Sequence, residues 1–176
     1  VNKPTRASTI PYRTTLERLW IIDPVPAWLP TRSRLRRLSS PPKHQLVDPA
    51  LAARLLGVEK GALLEADPIG PLIPRDGTLL GGLFESLVTL GVRVYAQAAE
   101  ASTGHLRTAA GEHEVDLIVE RGDGRVVAIE VKLAASIGDS DVEELHWLRS
   151  RIGDDLLDAI VISTGDVAYR RRDGIG

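Results

Sequence analysis

The chain has 176 residues, 43% of them hydrophobic, which is enough for one ordinary domain or for one domain and a smaller appendage. It contains no cysteine, which excludes disulfides and thiolate metal sites and favours a reducing, cytoplasmic location. The formal net charge of -2 gives no overall attraction to nucleic acid. Binding to nucleic acid would therefore need local basic patches.

Targeting signals and nucleotide-binding loops are not evident in the sequence. Apolar runs stay short of the ~20 residues that a membrane span needs, and the N-terminal region lacks a signal-peptide pattern, so we expect no membrane association. The chain begins with Val1 and has no G-x-x-x-x-G-K-[ST] loop. We therefore expect a piece of a longer protein that is not itself a P-loop ATPase, with an oligomeric state that the sequence leaves open.

Residues 1–75 are predicted to be a helix-rich N-terminal subdomain. Apolar residues at helical spacing predict an amphipathic helix over residues 9–22, which the following prolines end. A short extended piece then ends near Asp48, and Pro49 is well placed in the first turn of another helix. This subdomain is either a helical packing unit or a winged-helix-like DNA-binding unit.

A different pattern begins near Asp76 and predicts a second domain over residues 76–176. A helix is expected over residues 78–90, with Gly91 as its stop, followed by a short strand in "VYAQA". "EVDLIVE" and "RVVAIEVKLA" are stronger strands, and "RGDG" between them is a hairpin signal. Together they give one helix followed by three strands.

The end of the second domain is predicted to be a helix and a strand. Ser140 and Glu143 match a capping box that opens the helix "DVEELHWLRSRI", and "DAIVIS" supplies an apolar strand. The long connection predicts that this strand lies parallel to "AIEVKL". The predicted fold class is therefore α/β (α+β), in the order helix, three strands, helix, strand.

The hairpin predicts which charged residues lie opposite each other. With residues 122–124 as the loop, Asp116 faces Glu130 and Glu114 faces Lys132, whereas a two-residue loop would separate these faces. Directly opposed like charges destabilise a sheet. A three-residue loop therefore predicts a cationic group between Asp116 and Glu130.

These residues resemble a known superfamily. Asp116, Glu130 and Lys132 have the spacing D-x13-E-x-K on adjacent strands, after a helix that contains Glu85, and this pattern resembles the PD-(D/E)XK phosphodiesterases with their restriction-endonuclease-like fold. Val115 stands where the superfamily's name has proline. More closely, "GGLFESLV", "EVDLIVE" and "VVAIEVKLA" resemble the nuclease-like C-terminal domain of unknown function that follows an AAA-type ATPase module in a prokaryotic ATPase family.

The resemblance implies a catalytic site made of Glu85, Asp116, Glu130 and Lys132. Asp116 and Glu130 would bind Mg²⁺ or Mn²⁺, and Glu85 would complete the metal site from the helix. Lys132 would lie near the attacking water or the developing phosphorane charge. The implied function is a metal-dependent nuclease domain that acts on nucleic acid phosphodiesters in a larger ATPase.

A non-catalytic module is the alternative. It would use the same fold to bind DNA, or to dock and regulate an upstream ATPase. The low aromatic content of 4%, which limits base stacking, favours this alternative. Each residue also has a plainer explanation: Asp116 as a solvated edge residue, Glu85 as a polar helix position, and Lys132 as a cross-strand partner of Glu114.

Basic and histidine residues outside this pattern give weaker signals. His105 and Arg107 would add nucleic-acid contacts, or else belong to a polar loop. Arginine clusters at residues 32–37 and 170–172 are more typical of solvated charge runs than of phosphate-binding patches. His44, His113 and His146 lack metal-ligand spacing.

Overall fold

The computed structural model describes residues 6–30, 41–64, 78–108 and 111–176. Single 3-10 turns, Ser140–Val142 and Gly153–Asp155, flank the last helix. The helices and strands are α1 Arg6–Arg18, β1 Ile22–Val25, β2 Ala27–Trp28, β3 Lys43–Leu46, α2 Pro49–Leu55, α3 Lys60–Leu64, α4 Thr78–Ala98, β4 Ser102–Arg107, β5 Glu114–Glu120, β6 Val126–Val131, α5 Glu143–Ile152 and β7 Leu156–Ile162.

Among the described residues, the main sheet has five strands in the order β2-β4-β5-β6-β7. The three central strands are antiparallel, and the two outer strands run parallel to their neighbours. β1 and β3 form a separate antiparallel pair. The chain therefore has a mixed α/β fold. From α4 to β7 the elements follow the order helix, three strands, helix and strand, but the first of the three strands is β4 rather than the predicted strand at residues 94–98.

The sheet is covered by a helix on each face because its side chains alternate between the two faces. Val126 and Ala128 belong to a core that includes the fully buried Leu145 and Leu148 of α5. The neighbouring residues of β6 face the other way, where Ile129 packs in a second core with residues of α4. This arrangement buries both faces of β6.

The hairpin between β5 and β6 has the predicted register. Arg121 N donates to Arg125 O at 2.9 Å, and paired positions run from Glu120 opposite Val126 to Leu117 opposite Ile129. Gly124 has a φ of 86°, which favours glycine over residues with a side chain. The three-residue loop is therefore confirmed.

α4 is longer than the sequence pattern predicted. It continues through Gly91 to Ala98, so the helix stop at Gly91 and the strand at residues 94–98 are wrong. The helix continues because Val88 and Val92, four residues apart, both pack in the second core. Beyond the helix end, Glu100 rather than a glycine takes the left-handed conformation, with a φ of 54°.

The connection from β6 to β7 is partly as predicted. The two strands are parallel, with Glu130 opposite Val161 and Val131 opposite Ile162. The capping box is wrong, because Ser140 lies in a 3-10 turn and α5 begins at Glu143 without a side-chain cap.

The N-terminal region contributes strands as well as helices. α1 begins and ends earlier than the predicted helix, and β1 starts at Ile22. Asp48 accepts hydrogen bonds from Ala50 N and Leu51 N, so the predicted helix start at Pro49 is confirmed. β2 pairs with β4 in the main sheet. The boundary predicted near Asp76 lies outside the described residues and stays a prediction.

α4 is the helix that bears on membrane association. By length and composition, its residues Leu79–Ala98 would suffice to cross a membrane, which the sequence analysis did not anticipate. The core helix of a soluble protein meets the same criterion, and α4 packs against the sheet. The length and composition of α4 are therefore only weak evidence for a membrane span.

The C-terminal segment folds back onto β7. Gly176 N donates to Ala159 O at 3.0 Å, and Val161 N donates to Gly176 O at 2.9 Å. Arg170 pairs with Asp158, and Arg171 pairs with Asp139 and Asp173. Arg170 and Arg171 are thus engaged in ion pairs, while the arginines at residues 32–37 lie outside the described part of the chain.

Candidate active site

The candidate site lies where β5 and β6 move apart. Beyond the last paired positions, Val131 N donates to Asp116 Oδ2 at 3.0 Å. The Asp116 side chain thus takes the place of a backbone acceptor. This contact fixes the carboxylate at the end of the hairpin ladder.

A bulge in β5 occurs at the same position. Gly104 pairs with Ile118, and Leu106 pairs with Val115. Two residues of β5, Asp116 and Leu117, therefore lie opposite the single residue His105. Such bulges redirect side chains and are common next to active sites. Because of the bulge, Asp116 is not among the regularly paired positions of β5 with either β4 or β6.

Glu130 is a buried carboxyl group beside Asp116. Its side chain is 5% exposed, and its Oε2 lies 3.1 Å from Lys132 Nζ. Its Oε1 has no hydrogen-bond partner among the described residues. Burial, together with the nearby charge of Asp116, raises the pKa of Glu130 to about 8, and Lys132 opposes this rise. Burial and the neighbouring carboxylate of Asp116 therefore disfavour the ionised form of Glu130.

Lys43 is a cation beside Asp116, but its partners are Glu85, Asp116 and Glu114 rather than the predicted pair of Asp116 and Glu130. Its Nζ lies 2.7 Å from Glu85 Oε1, 3.0 Å from Asp116 Oδ1 and 3.3 Å from Glu114 Oε1. Burial alone would lower the pKa of Lys43, but the carboxylates of Asp116 and Glu85 outweigh burial and raise it. Lys43 is therefore charged and joins β3, α4 and β5.

Gln45 holds β3 against α4. Its Nε2 donates to Glu85 Oε1 at 2.6 Å, and its Oε1 accepts from Ser86 Oγ at 2.7 Å. Lys43 and Gln45 are two positions apart on β3, so both side chains point to the same side. The position of Glu85 is thus set by two residues from the N-terminal region.

Sequence reasoning missed both Lys43 and Gln45. Lys43 is one of four lysines in the chain, and this scarcity was the available signal. Its partners lie more than 40 positions away along the chain, so no local spacing connects them. The contacts exist only because the folded chain brings β3 next to α4.

The four predicted catalytic residues are brought together in two linked groups. Glu85 and Asp116 share Lys43, while Glu130 interacts with both Asp116 and Lys132. Glu114, which register placed opposite Lys132, contacts Lys43 instead.

The two predicted nucleic-acid contacts differ in exposure. His105 lies on β4, where a polar loop was the alternative prediction, and it is only 4% exposed. Its Nε2 lies 3.3 Å from Pro41 O, and burial lowers its pKa. Arg107 is exposed and lies 3.7 Å from Glu114 Oε2. A contact of His105 with nucleic acid would need this burial to be undone.

Asp116 and Glu130 are the two carboxylates of this site that could hold a divalent cation. Across the described ranges, no group of three or more His, Asp or Glu residues is arranged to hold a metal ion. Mg²⁺ usually binds one or two carboxylates and completes its shell with water and phosphate oxygens. Asp116 and Glu130 meet that need, and the free Glu130 Oε1 supplies a donor atom. Glu85 Oε1 is engaged by Lys43 and Gln45.

Comparison with known proteins places this site within one family. The family model described as "Domain of unknown function (DUF4143)" matches residues 80–176, more than half of the chain. The match contains Glu85, Asp116, Glu130 and Lys132 and leaves out Lys43. Neither the curated proteins nor the solved structures gave a match. The chain therefore belongs to the DUF4143 family of domains of unknown function.

Proposed function

We propose that this chain is a Mg²⁺- or Mn²⁺-dependent phosphodiesterase domain of PD-(D/E)XK type that cleaves nucleic acid. The observation that carries the proposal is the buried Glu130, which lies beside Asp116 and 3.1 Å from Lys132. A buried carboxyl with a strongly raised pKa, next to a second carboxylate, costs stability unless a ligand compensates it. A bound cation is such a ligand.

The proposed reaction is hydrolysis of a phosphodiester bond. Water adds to phosphorus, one P–O bond breaks, and the leaving oxygen takes up a proton. The metal supplies Lewis-acid polarisation and a more acidic water. Asp116 and Glu130 are the residues that would hold the metal through their carboxylate oxygens. Lys132 holds its ammonium where negative charge grows on the phosphate oxygens.

The restriction-endonuclease-like core is part of this proposal. Support comes from the element order and from the position of the acidic residues where two antiparallel strands separate. Glu85 reaches the same place from α4. Arg107 is exposed beside the site and is our candidate for a contact to nucleic acid phosphate.

A non-catalytic module is the second candidate, and Lys43 is the observation that favours it. An ammonium within 3.3 Å of three carboxylates already neutralises much of the acidic face. A metal is then not required to hold the fold together. In that case the domain would bind DNA, or dock and regulate an ATPase.

Both candidate functions include an ATPase as a partner. DUF4143 domains typically lie C-terminal to AAA ATPase domains, and we propose the same arrangement in a longer, cytoplasmic protein. The chemistry of Asp116 and Glu130 does not depend on this arrangement.

A cleavage assay tests the proposed activity. Single- and double-stranded DNA and RNA are incubated with the protein and Mg²⁺ or Mn²⁺, with and without the longer ATPase-containing chain. We expect metal-dependent cleavage that Asp116→Asn and Lys132→Ala abolish, while Lys60→Ala, an exposed control on α3, leaves it unchanged. Cleavage that survives Asp116→Asn would exclude this site. No cleavage in either context would favour the non-catalytic module.

A further inference from the structure

Lys43 is the feature that neither the family match nor the proposed reaction explains. It lies on β3, outside the matched residues, yet its ammonium contacts Glu85 and Asp116 at 2.7 and 3.0 Å. Its side chain is 24% exposed, so the contacts are only partly screened by solvent. A cation from the N-terminal region therefore occupies the acidic face.

We propose that Lys43 is an internal counter-cation that competes with the divalent metal for Asp116, so that the metal binds only when the Lys43 ammonium leaves Asp116 Oδ1. This inference rests on the proposed metal site. It adds a specific role for the N-terminal region, which is to set the metal affinity of the site.

The contacts of Asp116 are the basis of the competition. Its Oδ2 accepts from Val131 N, and its Oδ1 accepts from Lys43 Nζ. A metal on Oδ1 would lie within a few Å of the ammonium, where two positive charges repel strongly. A metal held by Asp116 and Glu130 would therefore compete with Lys43 for Asp116.

The displaced ammonium has a place to go. Gln45 ties β3 to Glu85 and Ser86 on α4, independently of Asp116. The Glu85 carboxylate, which Lys43 already contacts at 2.7 Å, is thus held in place to keep the ammonium after it leaves Asp116. The exchange needs a rotation of one flexible side chain and leaves the fold intact.

Metal affinity gives the first test. Binding of Mn²⁺ alone is measured by the loss of the free-ion electron paramagnetic resonance signal, for the wild type, Lys43→Gln, Lys43→Arg, Lys60→Gln and Asp116→Asn. We expect Lys43→Gln to bind Mn²⁺ about fivefold more tightly, as expected for loss of a modest competing ion pair. Lys43→Arg keeps the positive charge, and Lys60→Gln changes an exposed lysine on α3. Both variants should therefore bind Mn²⁺ with an affinity near that of the wild type.

The unaltered protein gives the second test, which does not depend on how the variants fold. An ammonium held by carboxylates reacts slowly with acetic anhydride, and its release should speed acetylation. We expect Mn²⁺ to raise the acetylation rate of Lys43 relative to that of Lys60, as followed by peptide mass spectrometry. A Lys43 rate that stays constant or falls on metal binding would overturn the inference.

The outcomes separate this inference from the proposed function. The metal site is supported if the wild type binds Mn²⁺ and Asp116→Asn does not. If Lys43→Gln then has the same Mn²⁺ affinity as the wild type, the proposed competition is wrong. Weaker binding by Lys43→Gln would also overturn the competition, because Lys43 would then support the metal site. If neither the wild type nor Lys43→Gln binds Mn²⁺, the proposed function fails and the inference fails with it.

Discussion

Asp116 Oδ2 accepts the backbone N–H of Val131 at 3.0 Å, so one side chain both extends the β5–β6 ladder and presents a carboxylate to the candidate site. Its other oxygen accepts from Lys43. The residue therefore has a structural role and a chemical role that different substitutions can separate.

Substitutions of Asp116 should separate these two roles. Asp116→Asn keeps an oxygen acceptor for Val131 N, whereas Asp116→Ala leaves that donor without a protein partner. We expect Asp116→Ala to lower the free energy of unfolding by about 1 kcal/mol more than Asp116→Asn does. Urea denaturation measures this difference. Equal stability of the two variants would mean that water replaces the acceptor fully.

Glu130 should make stability depend on pH. Its pKa is raised from 4.5 to about 8, so the folded state retains a proton that the unfolded state releases between these values. Stability should therefore fall as pH rises from about 4.5 to about 8, by a few kcal/mol at most, and level off above. Glu130→Gln should remove this slope. Thermal unfolding across pH 4 to 9 gives the measurement, and an unchanged slope in the variant would refute the assignment.

Metal binding should be linked to the same proton. Because the metal binds the ionised carboxylate, Mn²⁺ binding below pH 8 should release a proton, and Mn²⁺ affinity should rise with pH up to about 8. Isothermal titration calorimetry in buffers of different ionisation enthalpy measures the proton count. An affinity that stays constant from pH 6 to 8 would argue against Glu130 as a ligand.

Gln45 should stabilise the fold and the position of Glu85. Gln45→Leu leaves the buried Ser86 hydroxyl without its acceptor and removes one donor from Glu85, so we expect a loss of about 1–3 kcal/mol. Gln97→Leu on the exposed surface of α4 is the matched control and should have little effect. Urea denaturation compares them, and a similar loss in both would mean that the contacts of Gln45 are unimportant.

Gly104 should be required for the pairing of β2 with β4. A Cβ at this position would lie 3.0 Å from both Pro26 O and Trp28 Cβ, so Gly104→Ala should destabilise the protein by about 1–3 kcal/mol. Gly82→Ala on α4 has open space and should stabilise the protein by up to about 1 kcal/mol. A neutral Gly104→Ala would show that β2 can shift away from β4.

Local signals predicted the parts of the fold that depend on neighbouring residues. The hairpin register followed from the short glycine-containing loop, and it placed Asp116 opposite Glu130. α4 was predicted too short because glycine is usually a helix stop, whereas packing of Val92 carried the helix past Gly91. Burial in the tertiary structure outweighed the local preference.

Strand β4 and the contact of Lys43 with Asp116 were not predicted from the sequence, for the same reason. "STGHLR" is polar and lacks the apolar alternation of a strand, yet it forms β4 because strands on both sides pair with it. Lys43 reaches Asp116 across 73 positions of sequence. Both features arise from long-range pairing, which no window of sequence contains.

The return of the chain at Gly176 has a consequence for association between molecules. Within the described part of the chain, β7 is the strand at one edge of the sheet, and an uncovered edge strand offers free N–H and C=O groups to any other extended chain. Here Ala159 O and Val161 N are already bonded to Gly176. The protein's own backbone thus occupies the middle of this edge and protects it from intermolecular strand addition, the first step of β-aggregation.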